Sequence, residues 1–343
     1  VTHRALRLRL DADALKSNWR WLQRQGDAPA GAAVKADGYG LGAMEVTKRL
    51  AEAGCRDFFI STWAEAEALS PLPEGASLSV LHGVGPDDIE AALAGAARPV
   101  LNTPQQVARW KEAAGDRPCD VMIDTGMNRL GLRSDEIGLL DGLTIDTLMS
   151  HLASADEDSG LNRAQLERFS AVRSAVPARR YSLANSAGIC LGPDFGFDLT
   201  RPGLALYGGV PRSEAAAAIA QVVFPEAEII QRRTVRAGES VGYGATWVAK
   251  IDTEVAIANV GYADGYLRYF AGKGRAQYGG LDLPLVGRVS MDLIALDCSA
   301  AAELREGDWV ALDYDLPVAA EATGLSQYEL LTGLSDRFGR LWT

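Results

Sequence analysis

The sequence predicts an α/β protein, a (β/α)8 TIM-like barrel followed by a mainly antiparallel β domain. Three observations support this. Short apolar runs alternate with helical patterns eight times in the first part of the chain. Beyond residue 222 the texture changes to short strands of alternating polarity separated by Gly and Asp turns. The 343 residues exceed one small domain, and 48% of them are hydrophobic, which allows two sizeable cores.

Taken in order, residues 5–10 (ALRLRL) alternate as a half-exposed strand does. Residues 11–25 put Leu15, Trp19 and Leu22 on one face of an amphipathic helix. The apolar runs follow as GAAVKA (31–36), DFFIST (57–62), LSVLH (78–82), PVLN (99–102), DVMIDT (120–125), DTLMSH (146–151), RYSLAN (180–185) and the region ending in Arg201. Helical patterns lie between them at 42–53, 63–70, 86–95, 103–113 and 161–175. Such alternation gives parallel βα units. Eight of them close into a barrel of roughly 200 to 250 residues. An open doubly wound sheet is the alternative, although no GxGxxG follows the first strand to mark a dinucleotide site. Later segments, from AEIIQRRTV through TEVAIANV and LDLPLVGRVS to DWVALDYD, read as antiparallel strands, and helical periodicity returns only at 324–334. The expected domains are therefore 11–221, and 1–10 together with 222–343.

Composition narrows the function. With 45 acidic against 34 basic residues, the net charge of −11 disfavours nucleic acid and anionic membranes as partners. Cys55, Cys119, Cys190 and Cys298 form no CxxC pair, and His3, His82 and His151 form no ligand spacing, so neither a metal nor a disulfide framework is expected. No run approaches a membrane span, and the start VTHRALRLRL carries no signal-peptide core. A cytoplasmic protein acting on a small molecule is the expectation.

In a barrel of this kind, chemistry sits at the C-terminal ends of the strands. Lys35 follows run one, Arg129 run five, His151 ends run six, Asn185 and Ser186 follow run seven, and Arg201 ends run eight. Singly these are a snorkelling lysine, a core histidine and structural arginines. On one rim they make an imine-forming amine, two guanidiniums, an imidazole and a phosphate-ready turn.

The motifs VKADGYGLG (34–42), DTGMNRLGL (124–132), SHLASAD (150–156), ANSAG (184–188), RPGLALYGG (201–209), VGYGATW (241–247), GYADGY (261–266), GRVSMD (287–292) and QYELLTGLSDR (327–337) span nearly the whole chain. Together, in this order, they resemble the pyridoxal-phosphate (PLP) dependent alanine racemases. The resemblance implies that Lys35 bonds to the cofactor aldehyde. The cofactor phosphate would lie among Tyr39, Ser186, the backbone near Gly203 and Leu204, and Tyr328. Arg201 would face the pyridine nitrogen, with His151 beside it. Racemisation would use Lys35 on one face of the substrate Cα and Tyr243 on the other. Arg129 and the Met291 backbone would hold the substrate carboxylate, and Asp292 would orient its loop. Tyr243, Tyr262 and Met291 would come from the partner in a homodimer with shared active sites. The implied activity is alanine racemisation supplying D-alanine for peptidoglycan, in the cytoplasm and without a metal.

The sequence departs from the family pattern at a few positions. Met122 stands where many members carry a lysine, often carbamylated, so either another anion balances Arg129 or that arginine is held more loosely. Leu41 replaces a frequent histidine, and Gly38 is smaller than usual. The other readings are a serine or broad-specificity racemase, a non-catalytic PLP-binding protein and a barrel-type PLP decarboxylase. The first keeps the same site residues. The second lacks a β domain with a counterpart of Tyr243, and RPGLALYGG and VGYGATW disfavour the third.

Overall fold

The computed structural model describes residues 3–343. Val1 and Thr2, part of the 1–10 segment assigned to the β domain, lie outside the described residues. The described chain gathers into two compact units, residues 13–220 and residues 3–12 with 221–343.

In unit 13–220, seven parallel strands pair in chain order: Ala32–Ala33, Asp57–Ile60, Ser77–Val80, Arg98–Leu101, Cys119–Met122, Ile145–Met149 and Arg180–Ser182. Side chains of both parities along them are buried, as in a sheet covered on both faces. Helices Ala43–Ala53, Trp63–Ala68, Ile89–Ala94, Pro104–Ala114, Gly160–Ala175 and Ser186–Cys190 lie between or after the strands, and a 3-10 segment, Ser134–Leu140, follows Cys119–Met122. The helix Ala12–Gln23 buries Leu15, Trp19 and Leu22 as its periodicity predicts. Its Trp19 indole N–H donates to the Ala30 carbonyl at 2.9 Å and anchors it to the segment just before the first strand.

The eighth run forms no regular strand. The segment 198–202 nevertheless bonds to both edges of the sheet. Asp198 N–H donates to Tyr181 (2.9 Å) and Arg201 N–H to Ala184 (2.8 Å), while Gly31 N–H donates to Thr200 (2.9 Å) and Ala33 N–H to Pro202 (2.8 Å). The sheet thus curls back on itself. Pro202 has no N–H to continue a ladder, which explains the irregularity. The first run is also shorter than expected, because its regular pairing ends at Ala33, two residues before Lys35.

The N-terminal ends of these strands carry a polar floor. Asp57, Ser77, Arg98, Asp120, Asp146 and Arg180 each occupy the first or second position of a strand. Arg180 donates to Asp57 at 2.7 Å and Asp146 at 3.0 Å. Arg98 pairs with Asp120 at 3.2 Å and Asp146 at 3.3 Å. The fully buried Asp120 also accepts the Ser79 hydroxyl and the Thr147 N–H, so its carboxylate is solvated by protein groups in place of water.

In the other unit, strands Val223–Val235, Thr253–Ala258, Ile294–Asp297, Leu281–Val286, Arg275–Tyr278 and Trp309–Leu312 pair antiparallel in a closed cycle. Leu6–Leu10 joins Val223–Val235 antiparallel, and Gly339–Trp342 pairs parallel with Leu6–Leu10. A second helix, Leu316–Thr323, precedes the expected C-terminal one, which runs over Gln327–Thr332.

Replacing Arg180 by Leu leaves the largely buried Asp57 without its guanidinium partner and removes one of the three that hold Asp146, which keeps Arg98 and Arg179. The Arg180 side chain is 14% exposed and that of each carboxylate 13%. The expected cost is about 3–5 kcal/mol in urea denaturation. Arg163→Leu breaks a pair whose side chains are 70% and 66% exposed, and its effect should stay within about 0.5 kcal/mol. Equal effects of the two substitutions would contradict a stabilising floor.

Candidate active site

Lys35 opens a single turn, Lys35–Tyr39, of unusual hand. Ala36, Asp37, Gly38 and Tyr39 all have positive φ, at 52°, 52°, 62° and 56°. Left-handed backbone costs an L-residue roughly 1–2 kcal/mol, so surrounding bonds must hold it. Gly38 N–H donates to Val34 (2.8 Å), Gly42 N–H to Asp37 (2.9 Å), and the Asp37 side chain accepts Ala43 N–H (2.8 Å). The Glu65 carboxylate accepts the Ala36 N–H at 2.7 Å and, through its other oxygen, those of Ser61 (2.6 Å) and Thr62 (3.1 Å). Burial and the charge of Arg129 depress the Lys35 pKa, and Glu65 opposes them.

Arg129 stands on a loop folded around Asp124, whose Oδ1 accepts the N–H groups of Gly126 (2.8 Å), Met127 (2.9 Å) and Asn128 (3.1 Å). Gly131 lies so close beneath that an added Cβ would be 2.6 Å from Asp124 N and 3.1 Å from Met122 Cγ. Met122 therefore packs under this loop as an apolar filler. Among the described residues of its unit, Arg129 pairs with no carboxylate.

His151 follows the strand Ile145–Met149. Burial, then Arg201, Arg129 and Lys35, push its imidazole pKa down to about 3, so it is neutral at physiological pH. Gln165, fully buried on helix Gly160–Ala175, donates to the His151 carbonyl (3.0 Å) and the Thr125 hydroxyl (3.1 Å) and accepts Ala153 N–H (2.9 Å). It ties the segment of His151 to the Arg129 loop. Arg201 is buried, donating to the Ser182 hydroxyl and the Ser150 carbonyl. Burial lowers its pKa to about 10, which leaves it a cation at neutral pH.

Tyr39, Ser186, Gly203 and Leu204 form a second cluster. A Cβ on Gly203 would sit 2.2 Å from the Tyr39 hydroxyl oxygen, so only glycine permits that approach. The Gly203 N–H, expected to face the phosphate, instead donates to Ser186 Oγ at 2.9 Å, as does Ala205 N–H at 3.2 Å. Having accepted two bonds, the Ser186 hydroxyl has its proton to donate outward. Leu204 N–H has no partner among the described residues. Tyr207, fully buried, stacks on Tyr39 at 4.5 Å and donates to the Ala33 carbonyl at 2.8 Å. The arrangement presents hydroxyl and amide donors suited to a phosphate.

The other unit carries the remaining expected residues. Tyr243 opens a turn, Tyr243–Ala245, between Gly242 and Gly244, both at positive φ, and is 70% exposed. Met291 is exposed on a loop whose Ser290 and Met291 carbonyls accept Tyr262 N–H and Ala263 N–H, each at 3.0 Å. Asp292 binds Arg337 at 2.6 Å, and Arg337 also meets the buried Asp264 at 3.0 Å, which fits an orienting role for Asp292. Tyr328 is exposed on helix Gln327–Thr332, which Ser326 and Glu329 cap. Among the described residues no cluster of His, Cys, Asp or Glu could hold a metal ion, and no helix is long and apolar enough to cross a membrane.

Sequence reasoning missed Glu65, Gln165 and Tyr207. Thr62 and Glu65 show the spacing of a helix capping box, yet the reach of Glu65 to Ala36 is tertiary and leaves no local trace.

Comparison with known proteins identifies the family. Residues 10–211 match the alanine racemase N-terminal domain, and residues 222–342 the alanine racemase C-terminal domain. The chain is 41% identical to the alanine racemase of Acidiphilium cryptum, over 97% of this chain and 98% of that one. It is 43% identical to the catabolic alanine racemase of Agrobacterium fabrum, over 97% and 91%. Among solved structures, the alanine racemase of Bartonella henselae with covalently bound pyridoxal phosphate superposes with a TM-score of 0.91 at 33% identity, covering 99% of this chain and 100% of that one. In sequence along both units and in fold, the chain belongs to the alanine racemase family.

Proposed function

We propose that this chain interconverts L- and D-alanine with pyridoxal phosphate bound at Lys35. The observation that carries the reading is an amine whose pKa is depressed by burial and by Arg129, set four residues from a hydroxyl and amide cradle. The residues fit the cofactor. Tyr39, Ser186 and Leu204 N–H suit a phosphate, Gly203 leaves room for the Tyr39 hydroxyl among them, and Arg201 remains a cation that can donate to the pyridine nitrogen. Tyr328 would add a further hydroxyl to the phosphate.

When bound, the cofactor supplies an aldehyde that bonds to amino groups and a conjugated ring that spreads negative charge from the substrate Cα. The protein does the rest. Lys35 Nζ takes or gives the proton on one face of Cα, and its lowered pKa keeps a fraction free to accept. Tyr243 Oη serves the opposite face, so what one group removes the other replaces, and direction depends only on which enantiomer enters. Arg129, without a carboxylate partner in its unit, is free to hold the substrate carboxylate. The Met291 N–H, which has no partner among the described residues, would join it. Neutral His151 adds no second positive charge beside Arg201 and can accept a bond from it.

The assembly belongs to the same proposal. Residues 11–221 form the cofactor-binding barrel, and 222–343 with 1–10 form a β domain that offers Tyr243 and Met291 to a second copy. The homodimer then shares two sites. The exposure of Tyr243 on a glycine-flanked turn supports this. D-alanine made in the cytoplasm would feed peptidoglycan synthesis.

Lys35→Ala should abolish the visible band of lysine-bound cofactor and nearly all D-alanine formation, followed by chiral chromatography. Normal turnover would rule Lys35 out. Tyr243→Phe should retain cofactor while solvent deuterium wash-in becomes unequal between L- and D-alanine, and equal, undiminished exchange from both would reject the two-base scheme. His151 yields a pH prediction. Its folded pKa of about 3 lies below the ordinary 6.5, so the unfolded chain binds the proton first as pH falls. Its contribution to stability is complete above pH 6.5 and is lost progressively toward pH 3. Melting temperatures of His151→Gln should fall less steeply than wild type over that window, and matching slopes would disprove the assignment.

A further inference from the structure

We propose that Glu65 is the positioning residue for Lys35, fastening the left-handed turn to the neighbouring strand end and setting a negative charge against the amine. The inference rests on the functional reading above and adds to it a residue that needs no contact with cofactor or substrate. An ordinary capping-box glutamate serves the first turn of its own helix. Glu65 does so through Oε2, which accepts the Ser61 N–H at 2.6 Å and the Thr62 N–H at 3.1 Å. Its Oε1 reaches out of the helix to the Ala36 N–H at 2.7 Å. That amide is the first in the run of four positive-φ residues between Lys35 and Gly40. Strained backbone persists only where its surroundings over-determine it. The turn sets the separation of the Lys35 amine from the Tyr39 hydroxyl, so the carboxylate that pins its first amide aligns both.

The charge has a second effect. The groups acting on Lys35 are Arg129 from the loop after Cys119–Met122 and Glu65 from helix Trp63–Ala68, and Lys35 in turn acts on His151, which is neutral at physiological pH. Burial and Arg129 push the amine toward the free base, and Glu65 pulls it back. Met122 supplies no anion beneath Arg129. Glu65 therefore keeps within reach the protonated form that a lysine must adopt to return a proton to Cα.

The test is cofactor capture by the full-length chain after removal of its PLP, followed by the visible band as a function of pH. The free amine adds to the aldehyde carbon, a C=N bond forms, and the aldehyde oxygen leaves as water with both amine protons. The capture rate therefore rises with pH through the titration of Lys35. Glu65→Gln keeps the size of the side chain and removes its charge, and its midpoint should move to lower pH. Glu65→Asp keeps the charge on a shorter stem. It should hold a near wild-type midpoint yet retain PLP about tenfold less tightly, the loss expected when charge-assisted bonds to backbone amides go. A role confined to folding would lower capture evenly at every pH. An unchanged midpoint in Glu65→Gln, with wild type capturing PLP normally, overturns the proposal and leaves the functional reading intact. Wild type capturing no better than Lys35→Ala overturns both.

Discussion

The placement of a lysine amine in a partly buried, cationic setting is the constraint on which the rest of the site depends. Burial and a neighbouring guanidinium make the amine reactive, but they also remove the solvent that would otherwise support a flexible side chain. The chain solves this with backbone. From Ala36 to Tyr39 it runs left-handed, so Lys35 and Tyr39, to which the proposal gives different tasks, leave the same short turn in fixed directions. Carboxylates at Asp37 and Glu65 hold that turn, Tyr207 stacks behind Tyr39, and Gly203 gives way in front of it. None of these groups has to react for the geometry to matter.

The same logic recurs at the second functional loop. Asp124 gathers three successive amides so that Arg129 projects from a closed loop, and Gln165 ties that loop to the segment carrying His151. The residues proposed for chemistry sit on irregular backbone, and buried polar side chains make the irregularity definite. Met122 shows the limit of this. It fills the volume beneath the Arg129 loop without supplying charge, so the shape is maintained by packing alone.

Much of this was legible in the sequence because apolar runs and helical periodicity are local signals. Seven of eight strands and the helix Ala12–Gln23 lie where those signals put them. The eighth run was misread as a strand because Pro202 denies it a ladder, although its backbone still bonds to both neighbours. The helix Leu316–Thr323 escaped notice because a proline at its second position reads as a breaker, whereas proline is tolerated in a first turn, here capped by Asp315. At the site, the positions of Lys35, Arg129, His151, Ser186 and Arg201 at or just beyond the ends of the apolar runs were legible through their order in the chain, while their roles stand as proposed. Glu65, Gln165 and Tyr207 were not, since each acts across elements far apart in the chain. The bond from the Gly203 amide to Ser186 likewise joins positions 17 residues apart and has no local signal.

The ionic floor at the N-terminal strand ends and the reactive rim at the opposite ends divide the barrel by purpose. Arg98, Asp120, Asp146 and Arg180 are linked to one another and to Asp57, and their contacts include none of the residues assigned to chemistry except the long-range pull of Asp120 on Arg201. Heat tolerance and substrate preference can therefore drift along separate lines of descent. A lineage moving to a hotter habitat can rework the floor while its kinetics stay put, and one adapting to a new amino acid can alter the rim without first gaining spare stability. Asp120 is the single position where the two histories would meet.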